Sequence, residues 1–544
     1  MSTAAAAGNE EGHGGRWLTL VAMTGALSMI LLDSTVVGVA LPTMQDDLGL
    51  SESGIQWVVN AYLLTLAAFM AVGGRLADMF DRTKIFSLGV IIFVLASASA
   101  GLAQNETMII VSRAVQGVGG ALMVPPSATL VMNAFPVNQR GRAMGVYAGV
   151  SLIFLSLGPL IGGLATEVSW RLVFWINLPL GIATLALTAL ARPDGRVAAG
   201  QRMDWPGAVT LVSGLVALVL GLMQGTDWGW TSPAVIALLT AAVVLLVAFI
   251  LIEIRAEQPL IELRLFRDRN FVGDNVVLFF VQFGLMALVV FGAIYVQDLL
   301  GFTPIEAGLS LLPLTIPVLL VAPVSGLLYD HIGARAPAAI GGLVAGAGLI
   351  WCGAFLHDFE YVHLVPGYAA IGLGIGLLMS PTNTDALNAA PARLRGAASG
   401  VVQTGRQVGA TVGLAVIGTV VASIQHHRLD EYLSGLGASQ EQTDEIATAL
   451  AQGSEEQAEV ARSVPQAELD QVLEAARDAI TDGIAAAYYI AGGAMLLAAV
   501  VAAVTLRRIA YHEDAAEAPH HPPLPHDPSH AARAAARAEA SSPG

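Results

Sequence analysis

The 544-residue sequence has one cysteine, and Asp, Glu, Lys and Arg together make up only 12% of it. A lone cysteine, Cys352, forms no intramolecular disulfide; set in an apolar run, it reads as a packed thiol. The one lysine, Lys84, follows no glycine-rich loop, and Gly-x4-Gly-Lys-Ser/Thr occurs nowhere, which excludes a P-loop nucleotidase. His-Glu-x-x-His and Gly-x-Ser-x-Gly are missing too, and no histidine sits deep in an apolar run, which argues against an intramembrane enzyme. The first fifteen residues, small and acidic, lack the basic start and cleavage site of a signal peptide. The first apolar run is therefore expected to remain as a span.

What is present is apolar: 55% hydrophobic residues and a mean hydropathy of +0.67, the composition of a polytopic membrane protein. Fourteen runs approach the roughly 20 residues that cross a bilayer. They are Trp17–Leu41, Gly54–Ala77, Ile85–Ala103, Thr107–Ala134, Arg142–Thr166, Trp170–Ala191, Trp205–Gln224, Pro233–Ile254, Phe271–Gln297, Pro304–Tyr329, Ala334–Leu356, His363–Asn388, Gly396–Ile424 and Ile484–Arg507. The loops after even-numbered runs carry the arginines; the short loops after odd-numbered runs carry none, except for Arg171 before run 6. Both termini are therefore expected in the cytoplasm of a cell whose cytoplasmic membrane the chain crosses many times. The net charge of −16 is concentrated between Gln425 and Gly483, with 13 acids against three arginines. This segment reads as acidic, Ala-rich helices outside the cytoplasm, a solvated decoration more than a binding domain. The tail after Tyr511 reads as disordered; its histidines would bind metal only adventitiously.

Asp33 stands inside the first run, in LLDSTVVGVALP (Leu31 to Pro42). A charge there costs on the order of 2.5–3.5 kcal/mol on insertion scales. Such a carboxylate faces a water-filled cavity or a partner charge, and desolvation suits it to carrying a proton. The bland alternative is an aspartate that only bonds neighbouring helices. Arg113 in run 4 is the second costly charge, and helix rise places it near the depth of Asp33. Its movement would couple a conformational change to protonation; the alternative is a static pair. A repeat is also visible. GRLADMFDR (Gly74–Arg82) ends run 2 and GLLYDHIGAR (Gly326–Arg335) ends run 10, each with an aspartate four residues after a glycine: Asp78 and Asp330. Two six-helix halves with an inserted helix pair explain this, as in parallel-repeat transporters.

These motifs resemble the major facilitator superfamily, in particular its fourteen-helix drug:proton antiporters. The resemblance runs from Trp17 to Arg508. It rests on LLDSTVVGVALP, GGRLADMFDRTK, IIVSRAVQGVGGALMVPPS, GPLIGG, WRLVFWINLPLG and SGVVQTGRQVGATVG, in that order. It implies an all-α membrane protein with the major facilitator fold, two six-helix bundles plus two inserted helices. The expected organisation is a cytoplasmic N-terminus (1–16), an N-terminal bundle (17–191), a linker with two inserted helices (192–269), a C-terminal bundle (270–508) that includes the acidic loop 425–483, and a tail (509–544). Runs 7 and 8, almost without polar residues inside, are expected outside the bundles.

Gly74, Asp78, Arg82, Asp330 and Arg335 form an expected conformational latch. Asp78 is suited to accept from backbone amides at a helix N-terminus. The family usually has Gly where this chain has Asp81. Gly158, Pro159, Gly162 and Gly163 are the antiporter motif by resemblance. Pro159 permits a kink, and Gly158 with Gly162 gives a face for close packing. Arg406, with Asp385 or Asp274 as partner, is a possible second charge site. Substrate-cavity candidates are Asn60, Tyr62, Gln116, Asn275, Phe279, Gln282, Phe283 and Asn383, polar and aromatic groups among apolar walls. The expected function is proton-coupled antiport of hydrophobic or amphipathic compounds such as drugs and antibiotics; export of an endogenous lipid or secreted metabolite is the alternative. Expected partners are such small molecules, protons and membrane lipids, without nucleic acid. No metal, nucleotide or organic cofactor is implied.

Overall fold

The computed structural model describes residues 2–195, 202–435 and 466–507. It contains fourteen helices long and apolar enough to cross a bilayer, and no strand among the described residues. In the first half they are Gly15–Leu48 (α1), Ser53–Met79 (α2), Arg82–Gly101 (α3), Glu106–Ala134 (α4), Val137–Val168 (α5) and Leu172–Ala191 (α6). The inserted pair is Trp205–Met223 (α7) and Pro233–Arg255 (α8). In the second half they are Arg269–Leu299 (α9), Pro304–Ile332 (α10), Arg335–Asp358 (α11), Tyr361–Ala389 (α12), Ala392–Tyr432 (α13) and Glu474–Thr505 (α14).

Each helix coincides with one apolar run, but some ends differ from the sequence expectation. The helix of α1 continues past Pro42 to Leu48; a proline removes a single N–H, which a long, packed helix tolerates. The helix of α13 runs on to Gly435, and that of α14 begins at Gln466. The flanks of the acidic segment are thus continuations of membrane helices, not separate ones. Residues 436–465 of that segment, and the tail from 508, lie outside the described residues.

The packing repeats. α1 lies against α4, α5 and α6, α2 against α4, and α3 against α4 and α6. Adding eight to each number gives the contacts of the second half: α9 with α12, α13 and α14, α10 with α12, and α11 with α12 and α14. The contacts between halves obey the same rule. α2 and α4 lie against α13, and α10 and α12 lie against α5.

The inserted helices pack mainly on each other, and only 17% of the most apolar stretch of α8 is buried. α7 also touches α2 and α13, so it covers the seam between the halves on that side. Buried Glu253 of α8 accepts the N–H groups of Leu260 and Ile261, tying the chain that follows to its helix.

Candidate functional site

Asp33 and Arg113 form a direct ion pair, Arg113 Nη1 to Asp33 Oδ2, at 2.5 Å. Each is 1% exposed. The remaining carboxylate oxygen, Oδ1, accepts from Gln116 Nε2 at 2.8 Å and Asn177 Nδ2 at 3.0 Å. Arg113 also donates to Gln116 Oε1 and to the Val58 carbonyl, both at 2.9 Å. Its guanidinium lies 4.3 Å from the centre of the Tyr62 ring, within cation–π range. Asn177 is fixed in turn by donating to Ser97 Oγ at 3.0 Å. The charges are therefore held by partners on α2, α3, α4 and α6. Gly117 permits this, because a Cβ there would collide with the Tyr62 carbonyl and Thr65 Oγ1. Thr65 itself donates to the Ala114 carbonyl of α4 at 2.8 Å.

Two residues after Asp33, Thr35 donates to the Leu155 carbonyl of α5 at 3.1 Å. Here the antiporter-motif glycines face α1. A Cβ on Gly158 would collide with Thr35 Oγ1, and one on Gly162 would stand 2.9 Å from the Val36 carbonyl. Pro159 and Gly163 turn the other way. Pro159 packs against Gly308, and Gly163 against Ile305, both of α10. The motif therefore joins the helix of the buried acid to the opposite half.

At the end where α2 finishes, Asp78 accepts from the Gly396 and Ala397 N–H groups at 3.0 and 2.6 Å. These begin the helical part of α13, where unpaired N–H groups and the helix dipole favour an anion. Arg82 donates to Asp78 at 2.6 Å and to the Ala392 carbonyl at 2.8 Å. Gly74 lies against Gly396 so closely that a Cβ would strike its carbonyl. Asp330 makes the equivalent contact with α5, accepting from Gly141 and Arg142 N–H at 3.0 and 3.3 Å. Arg335 does not complete the symmetry. It makes no ion pair with Asp330, and its N–H donates to the Arg507 carbonyl. Asp81 needs no glycine-like conformation: at φ −72° it caps α3 by accepting from Thr83 and Lys84 N–H. Arg171, the exception to the arginine pattern, is paired with Asp47 at 2.8 Å.

The expected substrate groups do not share one cavity. Tyr62 and Gln116 are fully buried in the Asp33 network, so neither is a cavity wall. Asn60 lines a cavity of about 230 Å³ with Met223 of α7 and Gln407 and Thr411 of α13. Asn275 and Phe279 line a separate, open apolar pocket of about 560 Å³ between α7, α9 and α13. Phe283 is buried against Gly413. Asn383 is half-buried and joins none of these groups. Arg406 pairs with neither Asp385 nor Asp274. It is held by amide oxygens, Gln403 at 3.0 Å and Gln282 at 3.4 Å.

The profile described as "Major Facilitator Superfamily" matches residues 23–414. The chain belongs to the major facilitator superfamily. Within it, the chain is 35% identical over 413 residues to the tetracenomycin C resistance and export protein of Streptomyces glaucescens, covering 76% of this chain and 77% of that one. It is 34% identical over 421 residues to the multidrug resistance protein Stp of Mycobacterium tuberculosis, covering 76% and 78%. Among solved structures, the proton:xylose symporter XylE superposes with a TM-score of 0.58 over 90% of this chain and 95% of that one, at 14% identity. That likeness shows the facilitator fold alone.

In this facilitator, Asn177 of the buried network escapes the sequence reading. Its signal is present in WRLVFWINLPLG, an amide within an apolar run, but nothing local says that it points at Asp33. Ser97 is hidden for the same reason.

Proposed function

We propose that this protein exports hydrophobic or amphipathic compounds across the cytoplasmic membrane in exchange for protons. The observation that carries the reading is the fully buried Asp33–Arg113 pair at 2.5 Å, set in a facilitator fold. Removing two charges from water is costly, and buried ionisable groups in membrane helices belong mostly to proton and ion pathways. In the arrangement seen, Arg113 holds the charged form of Asp33. Withdrawing Arg113 during the cycle leaves a carboxylate that takes up a proton, and its return expels that proton. The relatives' names, multidrug resistance and antibiotic export, support drugs and antibiotics as substrates. The proton gradient supplies the energy, so the reading requires no cofactor.

The two aspartate caps act as the latch that closes the cytoplasmic side, and the glycine face of α5 seals α1 against proton leak. The arginine pattern supports cytoplasmic termini. A second reading, export of a secreted metabolite made by the cell itself, is favoured by a relative whose name joins resistance to export. Inside-out vesicles carrying a pH-sensitive dye test the reading. Addition of a substrate from a panel of drugs and secreted metabolites should release protons from the lumen in wild type but not in Asp33→Asn. Substrate uptake without proton movement would refute antiport, and the compounds that give a signal decide between the two substrate classes.

A further inference from the structure

Arg75 of α2 is 5% exposed, and its Nε is buried without a hydrogen-bond partner. Among the described residues its guanidinium enters no ion pair and no hydrogen bond. A guanidinium is always charged and presents five N–H donors. Buried polar groups are otherwise partnered, so an orphan of this kind points to a ligand.

Arg75 lines a cavity of about 610 Å³ where α2, the end of α8, the chain after α8 and the start of α13 come together. Arg264, Arg267 and Arg393 line the same cavity, and all three are exposed. Three glutamates line it too, but two of them are engaged. Glu253 accepts the Leu260 and Ile261 N–H groups, and Glu262 pairs with Arg393 at 3.4 Å. The third, Glu257, is exposed. Four arginines against three glutamates leave the cavity net positive.

The chain after α8 also borders an apolar space. Glu262, Leu263, Arg264 and Arg267 line the polar cavity, whereas Ile261 and Phe266 line the open apolar pocket of about 560 Å³ between α7, α9 and α13. Ile254, at the end of α8, also lines the polar cavity and is 66% exposed. The cavity therefore opens where the apolar outer face of α8 ends.

We propose that the cavity at Arg75 binds the phosphate of an anionic phospholipid, with an acyl chain in the apolar pocket beside it. The fork of a guanidinium matches phosphate oxygens two at a time. Basic pockets between membrane helices take anionic headgroups in this way. A free phosphate would satisfy Arg75 but leave the apolar pocket unused. The site stands apart from the antiport reading and does not rest on it. It gives the inserted helices a role: a headgroup between Arg75 and Arg393 joins the two halves beside the Asp78 clasp and ties the chain after α8 to both.

The test is thermal unfolding of the purified full-length protein in detergent, titrated separately with phosphatidylglycerol, phosphatidylcholine and inorganic phosphate. Phosphatidylglycerol should raise the unfolding midpoint saturably, and the other two should not at the same concentrations. Arg75→Gln should weaken the apparent affinity by about tenfold or more, as expected for a lost charge-assisted hydrogen bond. Without lipid it should unfold no earlier than wild type, because it removes an unpaired buried charge. Arg264→Gln combined with Arg267→Gln alters exposed side chains only, and should also weaken the lipid effect. Lys84→Gln, an exposed cation at the same end of α2 and α3, should not. Wild-type affinity in Arg75→Gln and in the Arg264/Arg267 double variant overturns the site. An equal shift with phosphatidylcholine overturns the role of charge, and an equal shift with inorganic phosphate overturns the lipid as its source.

Discussion

Asp78 and Asp330 occupy equivalent positions in the two halves, and each accepts the N–H groups that open a helix of the opposite half. Each contact is backed by close approach of small residues, Gly74 on Gly396 and Gly326 on Gly141. The pair has the geometry of two clasps related by the internal repeat. Among the described residues, only the Asp78 clasp holds an arginine side chain.

The clasps should therefore differ in strength. Asp78→Ala strands Arg82, which is 4% exposed, and breaking a buried pair costs about 3–5 kcal/mol. Asp330→Ala removes only a helix cap, worth about 0.5–2 kcal/mol. Thermal unfolding in detergent should show the larger loss for Asp78→Ala. Equal losses would mean that Arg82 adds nothing to the clasp.

Gly158 and Gly162 should tolerate no side chain, since a Cβ on either meets α1. Gly158→Ala and Gly162→Leu should reduce export and raise passive proton leak in vesicles. Gly38 of α1 provides the control: a Cβ there meets nothing within 4 Å, so Gly38→Ala should export normally. Normal, tight transport by Gly162→Leu would remove the seal from the mechanism.

The Asp33–Arg113 pair can be separated into structural and coupling roles. Arg113→Ala leaves an unpaired buried carboxylate and should cost about 3–5 kcal/mol. Asp33→Asn with Arg113→Gln removes both charges and should recover much of that stability, because an isolated charge is no longer buried. Export against a gradient should stay absent in both. Transport by the double variant would show that the pair only joins helices.

Asn177→Ala should weaken the same network from α6. It removes one of two amide donors to Asp33 Oδ1, and an unsatisfied buried group costs about 1–3 kcal/mol. Export should fall while insertion in the membrane is retained. A fully active Asn177→Ala would place this asparagine outside the coupling network.

The fourteen helices were legible because apolar runs of membrane length have few alternative structures. The Asp33–Arg113 pairing was legible as well, since two isolated charges in apolar helices of one bundle have strong reason to meet. The cavity was not. Tyr62 and Gln116 look like substrate contacts in sequence, but their orientation around the helix axis depends on where Arg113 needs donors and a ring face. Arg406 was assigned to an acid because cations usually pair; here the amide oxygens of Gln403 and Gln282 hold it instead. The lengths of α13 and α14 were hidden because acidic residues beyond the bilayer do not interrupt a helix.

Those lengths have a mechanical consequence. The helix Arg395–Gly435 contains 41 residues, which at 1.5 Å per residue is about 60 Å, against roughly 40–45 Å for a bilayer with its headgroups. The helix Gln466–Thr505, of 40 residues, matches it. Arg428 joins them by an ion pair to Asp482 at 3.0 Å, and His357 of α11 reaches the same aspartate at 3.1 Å. The second half thus carries a braced rod at the end opposite the clasps. Any tilt of that half is magnified at the tip of the rod, in proportion to its distance from the pivot. A fluorophore or antibody fragment attached there would act as a pointer, turning a small rotation between the halves into a displacement large enough to follow one molecule at a time.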